Sequence, residues 1–360
     1  MFKFHPLKVT SVERVAEDAI GVTLEVPAAL REDFAFHAGQ YVTVRRTIDG
    51  REERRTYSIV TTPGSTSLKL GVRVQSGGRM SGEIATKLRP GDMLEVGTPM
   101  GRFRTQVSPQ REFSYVAFAA GSGITPVLSL ATDILVRELR SRFTLIYGNR
   151  SMSRTMFLEE TLGLKNQYLD RFSVHFVMSR EPQQTELLNG RIDGDKVREL
   201  AQHIVEITSA DEYLICGPGR MVDDVRDAIK LLNGESPIRF ERFATAASPP
   251  VAVITREPEI DPAPQEVLAT ITVLMDGRRR VFPMAPSDPS VLDAAERAGL
   301  ALPFSCRAGI CATCRTRITS GAAEMTHNIA LEPWETDAGF VLCCQARPTT
   351  ATLELSYDEK

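Results

Sequence analysis

The strongest constraint on this chain is a spacing. Residues 302–315 read Leu-Pro-Phe-Ser-Cys-Arg-Ala-Gly-Ile-Cys-Ala-Thr-Cys-Arg, which puts Cys306, Cys311 and Cys314 in the pattern C-x4-C-x2-C. Three thiolates at that interval can wrap one side of a [2Fe–2S] cluster while a distant cysteine closes the other. A loop this tight tolerates little bulk, and Ala308, Gly309 and Ala312 keep it small, leaving backbone N–H groups to face the cluster's negative charge. Zinc is the competing occupant, but structural zinc sites favour paired C-x2-C units and this stretch holds one. A disulfide framework fits poorly in 360 residues with six cysteines. Cys343 and Cys344 compete for the fourth position, and the alternation of side chains along a strand lets only one of them face the metal.

The length allows two or three domains, each with a core of its own. Hydrophobic content of 42% and charged content of 25% are ordinary for a soluble globular protein. A net charge of −3 and the lack of a basic tract argue against a nucleic-acid partner. Met1–Lys8 carries no apolar leader, and no apolar run is long enough to cross a bilayer. The expectation is a cytoplasmic chain without a membrane partner, in a compartment that keeps thiols reduced.

Up to about Phe103 the pattern is short alternating runs: Leu7–Val12, Ile20–Val26, Gln40–Val44, Arg55–Ile59, Leu68–Val74 and Met93–Val96. Asp49-Gly50, Pro63-Gly64, Gly77-Gly78 and Pro90-Gly91 punctuate them, which predicts an antiparallel β-barrel. Within it stand Arg55-Thr56-Tyr57-Ser58 and Gly78-Arg79-Met80-Ser81. These types suit a flavin: an arginine for the pyrophosphate, a tyrosine ring against the isoalloxazine, a serine hydroxyl near its reactive nitrogen. The glycine turn opens a helix predicted over Ser81–Leu88, whose first N–H groups can meet phosphate. Taken alone, Arg-x-Tyr-Ser is a weak signal, since an arginine and a tyrosine on a strand are usually a surface and a packing residue.

From 113 to 243 the period changes. Apolar strands at Tyr115–Ala120, Phe143–Tyr147, Phe172–Met178 and Glu212–Ile215 alternate with helices at Pro126–Leu139, Phe157–Leu162, Asp195–Val205 and Arg220–Leu232. That alternation predicts a parallel α/β sheet with ligands beyond the strands' carboxyl ends. Gly121-Ser122-Gly123-Ile124-Thr125-Pro126 follows the first strand and opens a helix, a setting for diphosphate, although Pro126 replaces the last glycine of G-x-G-x-x-G. After the second strand, Asn149-Arg150-Ser151 offers no acidic residue for a ribose hydroxyl; Arg150 and Ser151 could instead hold a 2′-phosphate, which favours NADPH. The bland reading makes Arg150 a solvated loop charge, Cys216-Gly217-Pro218 plain packing at a strand end, and Phe243 a core residue.

Residues 244–266, rich in proline and alanine, read as a semi-extended linker. Beyond it come a hairpin across Asp276-Gly277, a helix at Ser290–Ala298, the cysteine loop, and strands near Arg315–Ile318 and Thr352–Leu355, an α+β outline. The single tryptophan, Trp334, reads as a packing residue.

The cysteine spacing with Gln345-Ala346 after the last cysteine resembles plant-type ferredoxins, and that resemblance assigns the fourth ligand to Cys344 and the fold to the β-grasp. The barrel motifs, followed by Pro99-Met100-Gly101-Arg102-Phe103 and then Gly121–Pro126, resemble the ferredoxin–NADP reductase family. This resemblance implies FAD bound by residues 1–106 (Arg55, Tyr57, Ser58, Gly78, Arg79, Met80, Ser81) and NADPH bound by residues 107–243 (Gly121, Gly123, Thr125, Pro126, Asn149, Arg150, Ser151, Cys216, Gly217, Pro218). It places Ser58, Thr125, Cys216 and Phe243 around the reacting rings, with Phe243 shielding the flavin, and residues 267–360 as the [2Fe–2S] domain. Within that group, Phe4-His5-Pro6-Leu7, Tyr147-Gly148-Asn149-Arg150, Gly190-Arg191-Ile192-Asp193-Gly194 and Glu241-Arg242-Phe243 resemble the reductase subunits of phenylacetyl-CoA epoxidases. The implied activity is electron transfer from NADPH through FAD and the cluster to the subunits of a diiron oxygenase. A Rieske-type ring or steroid oxygenase, or a desaturase, is the alternative client; a non-catalytic redox sensor is the alternative of another class.

Overall fold

Six strands of alternating burial build the first sheet: β1 (Phe4–Ala16), β2 (Ala19–Glu25), β3 (Tyr41–Ile48), β4 (Arg51–Ser58), β5 (Ser67–Arg73) and β6 (Met93–Gly97). Their order is β4-β3-β6-β1-β2-β5, every pair antiparallel. A bridge between Ile59 and Leu70 joins the chain after β4 to β5 and closes the barrel. Leu7, Val9, Val22, Leu24, Val42, Val44, Leu70 and Val96 fill it, as the two-residue period requires. Asp49 and Gly50 both take positive φ, the conformation that a two-residue hairpin between β3 and β4 demands. Helix α1 (Arg79–Lys87) starts two residues earlier than expected and seats Met80 and Ile84 in the same core.

The computed structural model describes residues 3–243 and 267–359, in two compact units, 4–243 and 267–359. The linker expected at 244–266 lies outside the described residues.

The second sheet is wholly parallel, in the order β11-β10-β7-β8-β9. It comprises β7 (Ser114–Ala120), β8 (Arg142–Asn149), β9 (Phe172–Met178), β10 (Glu212–Pro218) and β11 (Ile238–Phe243). Five helices cover it: α2 (Ile124–Arg137), α3 (Leu158–Gln167), α4 (Gly194–Ala201), α5 (Glu206–Ser209) and α6 (Gly219–Leu232). The single helix expected at Asp195–Val205 is thus two shorter ones, with Ile204 buried at the turn between them. β11 went unrecognised in the sequence because its half-buried residues carry no strong apolar run. Barrel and sheet share a core, in which Ala38, Val60 and Phe103 pack with Tyr115, Ile124 and Leu130. Gly71 of β5 lies so close to this seam that a Cβ there would stand 2.6 Å from the Thr125 methyl.

In the unit 267–359 the sheet runs β13-β12-β18-β14-β16, with β12 and β18 parallel and the other neighbours antiparallel. Its strands are β12 (Ala269–Met275), β13 (Arg278–Met284), β14 (Arg315–Ser320), β16 (Phe340–Leu342) and β18 (Thr352–Ser356). β15 (Ala323–Met325) and β17 (Ala346–Pro348) form a separate ribbon. Helix α7 (Val291–Arg297), capped by the Ser290 hydroxyl, buries Val291, Leu292, Ala294 and Ala295, giving the β-grasp arrangement. The expectation for Trp334 is corrected: it is 61% exposed. In α8 (Pro333–Asp337) a capping box turns the next residue, Glu335, inward to meet Arg315 at 2.8 Å, which leaves Trp334 facing out.

Candidate functional site

Strand order reverses between β7 and β10, so the crevice beyond their carboxyl ends is where this topology takes a ligand. Gly121-Ser122-Gly123 forms a tight turn there, with Gly121 at φ +56. A Cβ on Gly123 would lie 2.1 Å from the Cys216 carbonyl oxygen, so only glycine lets the two strand ends approach this closely. The buried Tyr147 hydroxyl donates to the Gly121 carbonyl or to that of Met156, both at 3.1 Å, and holds the turn from beneath. Helix α2 begins without a side-chain cap; its Ile124 N–H turns back to the Gly121 and Ser122 carbonyls and Pro126 has none, so the backbone an anion would meet there is chiefly that of the glycine turn. Asn149, at the end of β8, buries its side-chain amide nitrogen beside the Tyr147 hydroxyl, without a hydrogen bond of sound geometry among the described residues. An uncapped helix start, a glycine approach and an orphaned amide are what a dinucleotide diphosphate and its ribose would use, and the residues fit that group.

Charge at the rim is selective. Asp18 takes Arg73 in two bonds of 2.7 and 2.9 Å and also pairs with Arg154. Arg150, exposed after β8, pairs with no such carboxylate among the described residues, and partial desolvation followed by the cations Arg180, Arg154 and Arg73 pushes its pKa down. Arg180 is a residue the sequence reading missed. Backbone bonds of 2.9 Å from Ser179 to Asn149 and from Arg180 to Arg150 lock the two strand ends together and set both arginines side by side. The signal was its place immediately after β9, at the ligand end of a parallel sheet.

Thr125 is buried, and its hydroxyl donates to the Ser122 carbonyl at 2.9 Å, so it braces the glycine turn. Pro126 sits in the first turn of α2, where it forfeits no helical hydrogen bond. Ser151 shares a 3.2 Å hydrogen bond with Ser153. Cys216 is fully buried in β10, in register with Ala119 on one side and Glu241 on the other. Glu241 is the second residue missed. Burial pushes its carboxyl up to about 8, and the Cys216 thiol points toward it at 4.0 Å. Burial raises the thiol as well, so both groups are drawn toward their neutral forms. Gly217 and Pro218 complete the edge, and half-buried Phe243, last in β11, pairs with Pro218.

On the barrel, register places Arg55, Tyr57 and Ser58 of β4 opposite Val44, Val42 and Tyr41. Arg55 is half exposed and meets Glu53 at 3.0 Å. Burial raises the Tyr57 hydroxyl far above its usual range, so the ring carries no charge. Ser81 accepts from the Gln75 N–H at 3.1 Å and ties down the turn through Gly77 and Gly78. Arg79 instead turns to the hairpin, donating to the Ile48 carbonyl at 2.7 Å. The Met80 side chain is spent on the core, which leaves its backbone for any ligand. α1 also starts uncapped, and with the exposed guanidinium of Arg55 it fits a pyrophosphate.

The cysteine loop winds through three residues of positive φ: Arg307 (+53), Gly309 (+71) and Ala312 (+52). A Cβ on Gly309 would come within 2.7 Å of the His327 carbonyl. The thiols fall into two pairs, Cys306 with Cys311 and Cys314 with Cys344. Cys311 and the N–H groups of Ala308, Ile310 and Cys311 draw the Cys306 thiol down to about 5. Cys314, the Gly309 N–H and Gln345 lower Cys344 in the same way. Cys343 behaves oppositely: burial drives it up to about 12, and its neighbour is Tyr357. Among the described residues no three His, Cys, Asp or Glu side chains converge on one point. Two thiol pairs suit a two-iron cluster, and the hydroxyl of Ser305, next to Cys306, is buried without a partner among the described residues.

A flavin barrel, a dinucleotide-binding parallel sheet and a β-grasp with a four-thiol cage together define an iron–sulfur flavoprotein reductase. Residues 6–105 match the oxidoreductase FAD-binding domain, 118–227 the oxidoreductase NAD-binding domain, and 273–349 the 2Fe-2S iron-sulfur cluster binding domain. The chain is 39% identical to a subunit of the 1,2-phenylacetyl-CoA epoxidase of Escherichia coli, over 100% of its own length and 99% of that protein's. It is 29% identical to the ferredoxin reductase component of 3-ketosteroid-9-alpha-monooxygenase of Rhodococcus rhodochrous, with 98% and 96% covered. Phthalate dioxygenase reductase, described as a modular structure for electron transfer from pyridine nucleotides to [2Fe-2S], superposes with a TM-score of 0.58 at 25% identity, 98% of each chain covered. The chain therefore belongs to the ferredoxin–NADP reductase family, in the branch that carries a C-terminal plant-type [2Fe–2S] domain and includes the reductase subunits of phenylacetyl-CoA epoxidases. It is an oxidoreductase that uses a nicotinamide dinucleotide, FAD and a [2Fe–2S] cluster. No helix among the described residues is long and apolar enough to cross a membrane.

Proposed function

We propose that this chain draws electrons from NADPH and delivers them to the diiron oxygenase subunits of a phenylacetyl-CoA epoxidase. The observation that carries the client is the 39% identity over full length to the epoxidase protein, against 29% for the steroid-oxygenase component. NADPH is favoured over NADH by Arg150 and Arg180, adjacent cations without a carboxylate partner of their own among the described residues. In this reading residues 1–106 hold FAD, 107–243 the nucleotide and 267–360 the cluster, with 244–266 as tether.

Each residue has a task. Arg55 and the first turn of α1 hold the pyrophosphate, while Tyr57 and Ser58 line the isoalloxazine. Gly121, Gly123 and the start of α2 hold the nucleotide diphosphate, braced by Thr125. Cys216, Gly217 and Pro218 floor the nicotinamide position, Phe243 covers the flavin, and the neutral Glu241–Cys216 pair keeps that floor free of charge. Cys306, Cys311, Cys314 and Cys344 hold the cluster. When bound, the cofactors supply the conversion of a two-electron donor into one-electron steps; the protein supplies position and electrostatics. The substrate of the epoxidase never meets this chain.

The test is reconstitution. Anaerobically loaded protein is mixed with the oxygenase subunits, phenylacetyl-CoA and NADPH, and epoxide is measured alongside NADPH consumption, with cytochrome c reduction as a control. The expected result is product formed in proportion to NADPH used. Full cytochrome c reduction without epoxide would remove the client while leaving the reductase.

A further inference from the structure

The cage has a neighbour that the four-ligand reading does not use. Tyr357 follows β18 and packs against the core that contains Cys314, Cys343 and Cys344. Register explains how it arrives there. β14 pairs with β18 through Arg317 and Ser356, so the next position outward sets Tyr357 beside Thr316, two residues from Cys314. On the other edge of β14 the Cys343 N–H donates to the Cys314 carbonyl at 3.1 Å. The Tyr357 backbone is fixed by its own bond of 2.9 Å to Leu274.

The Tyr357 hydroxyl is buried and makes no hydrogen bond of sound geometry among the described residues. The groups acting on it are sulfurs: Cys343 first, then Cys314 and Cys344. An unsatisfied buried hydroxyl costs on the order of 1–3 kcal/mol, so its retention in a packed core calls for an acceptor. Phenylalanine would fill the same space without that cost. A hydroxyl donated to a cluster sulfur favours the more negatively charged, reduced state, and hydrogen bonds to sulfur are among the controls on cluster potential.

We propose that Tyr357 is a positioning residue that raises the reduction potential of the cluster by directing its O–H at the sulfurs of the Cys314–Cys344 side. The inference rests on the reading that Cys306, Cys311, Cys314 and Cys344 hold the cluster. Cys343 is not a ligand in this arrangement; its sulfur is the alternative acceptor that competes for the hydroxyl.

The experiment is an anaerobic redox titration of the full, loaded chain, following the reduced cluster by electron paramagnetic resonance and the flavin by absorbance. Tyr357→Phe is expected to shift the cluster midpoint to lower potential, with iron content, visible absorbance and flavin midpoints unchanged. An unshifted cluster midpoint in a fully loaded variant overturns the proposal. Should Tyr357→Phe fail to retain iron, Cys343→Ala gives the second arm: removing the competing acceptor is expected to raise the midpoint, and an unchanged or lower value overturns the proposal. A wild-type chain that takes up no iron is a different failure, since it removes the ligand reading itself.

Discussion

Three of the four cage thiols lie between Cys306 and Cys314, whereas the crevice draws Gly123, Asn149, Arg180, Cys216 and Glu241 from the ends of five different strands. The cage is written locally: spacing, small residues and three left-handed backbone positions bend one loop around its centre. The crevice exists only once β7 and β10 lie side by side, and its closest approach, Gly123 against the Cys216 carbonyl, joins residues far apart in the chain. A local site should fail by losing a ligand. A site assembled across a sheet should lose selectivity or poise by degrees.

The largest effect is expected in the loop. Cys344→Ser should abolish the cluster's visible absorbance after reconstitution, and Cys343→Ser should retain it. The reverse pattern would exchange their roles, and loss in both would show that the loop depends on its surroundings as the crevice does. A smaller effect is expected at the crevice rim. Arg150→Ala and Arg180→Ala should each raise the KM for NADPH by about ten- to a hundredfold, as removal of a charge-assisted bond worth about 1.5–3 kcal/mol implies, with NADH little changed. Equal losses for both nucleotides would make the arginines general anchors.

The smallest is a pH effect at Glu241. Its folded carboxyl is raised to about 8, so between the ordinary carboxylate range and pH 8 the folded state binds a proton that the unfolded chain has released. Stability linked to this group is therefore full at acidic pH, is lost as pH rises through that window, and levels off above about 8. Thermal melts of the wild type between pH 5 and pH 8.5 should fall more steeply than those of Glu241→Gln. Parallel slopes would mean that Glu241 is ionised in the crevice, and that charge, not its absence, floors the nicotinamide position.

The two regions also differ in how far they could be read in advance. The cysteine loop, the glycine turn after β7 and the Arg-x-Tyr-Ser strand were visible because each motif occupies consecutive residues. Arg180 and Glu241 were not, because their meaning depends on which strand lies next to which. The same limit hid β11, whose half-buried residues give no clear period, and misplaced Trp334, whose exposure follows from the Glu335–Arg315 contact.

By itself the sequence determined the three kinds of fold and the cofactor classes, since side-chain periodicity and ligand spacing are properties of adjacent residues. Tertiary structure alone decided which thiols pair, which arginines lack a carboxylate among the described residues and where burial raises a glutamic acid's pKa. Those properties depend on burial and on distances across strands, and a linear chain does not possess them until it has folded.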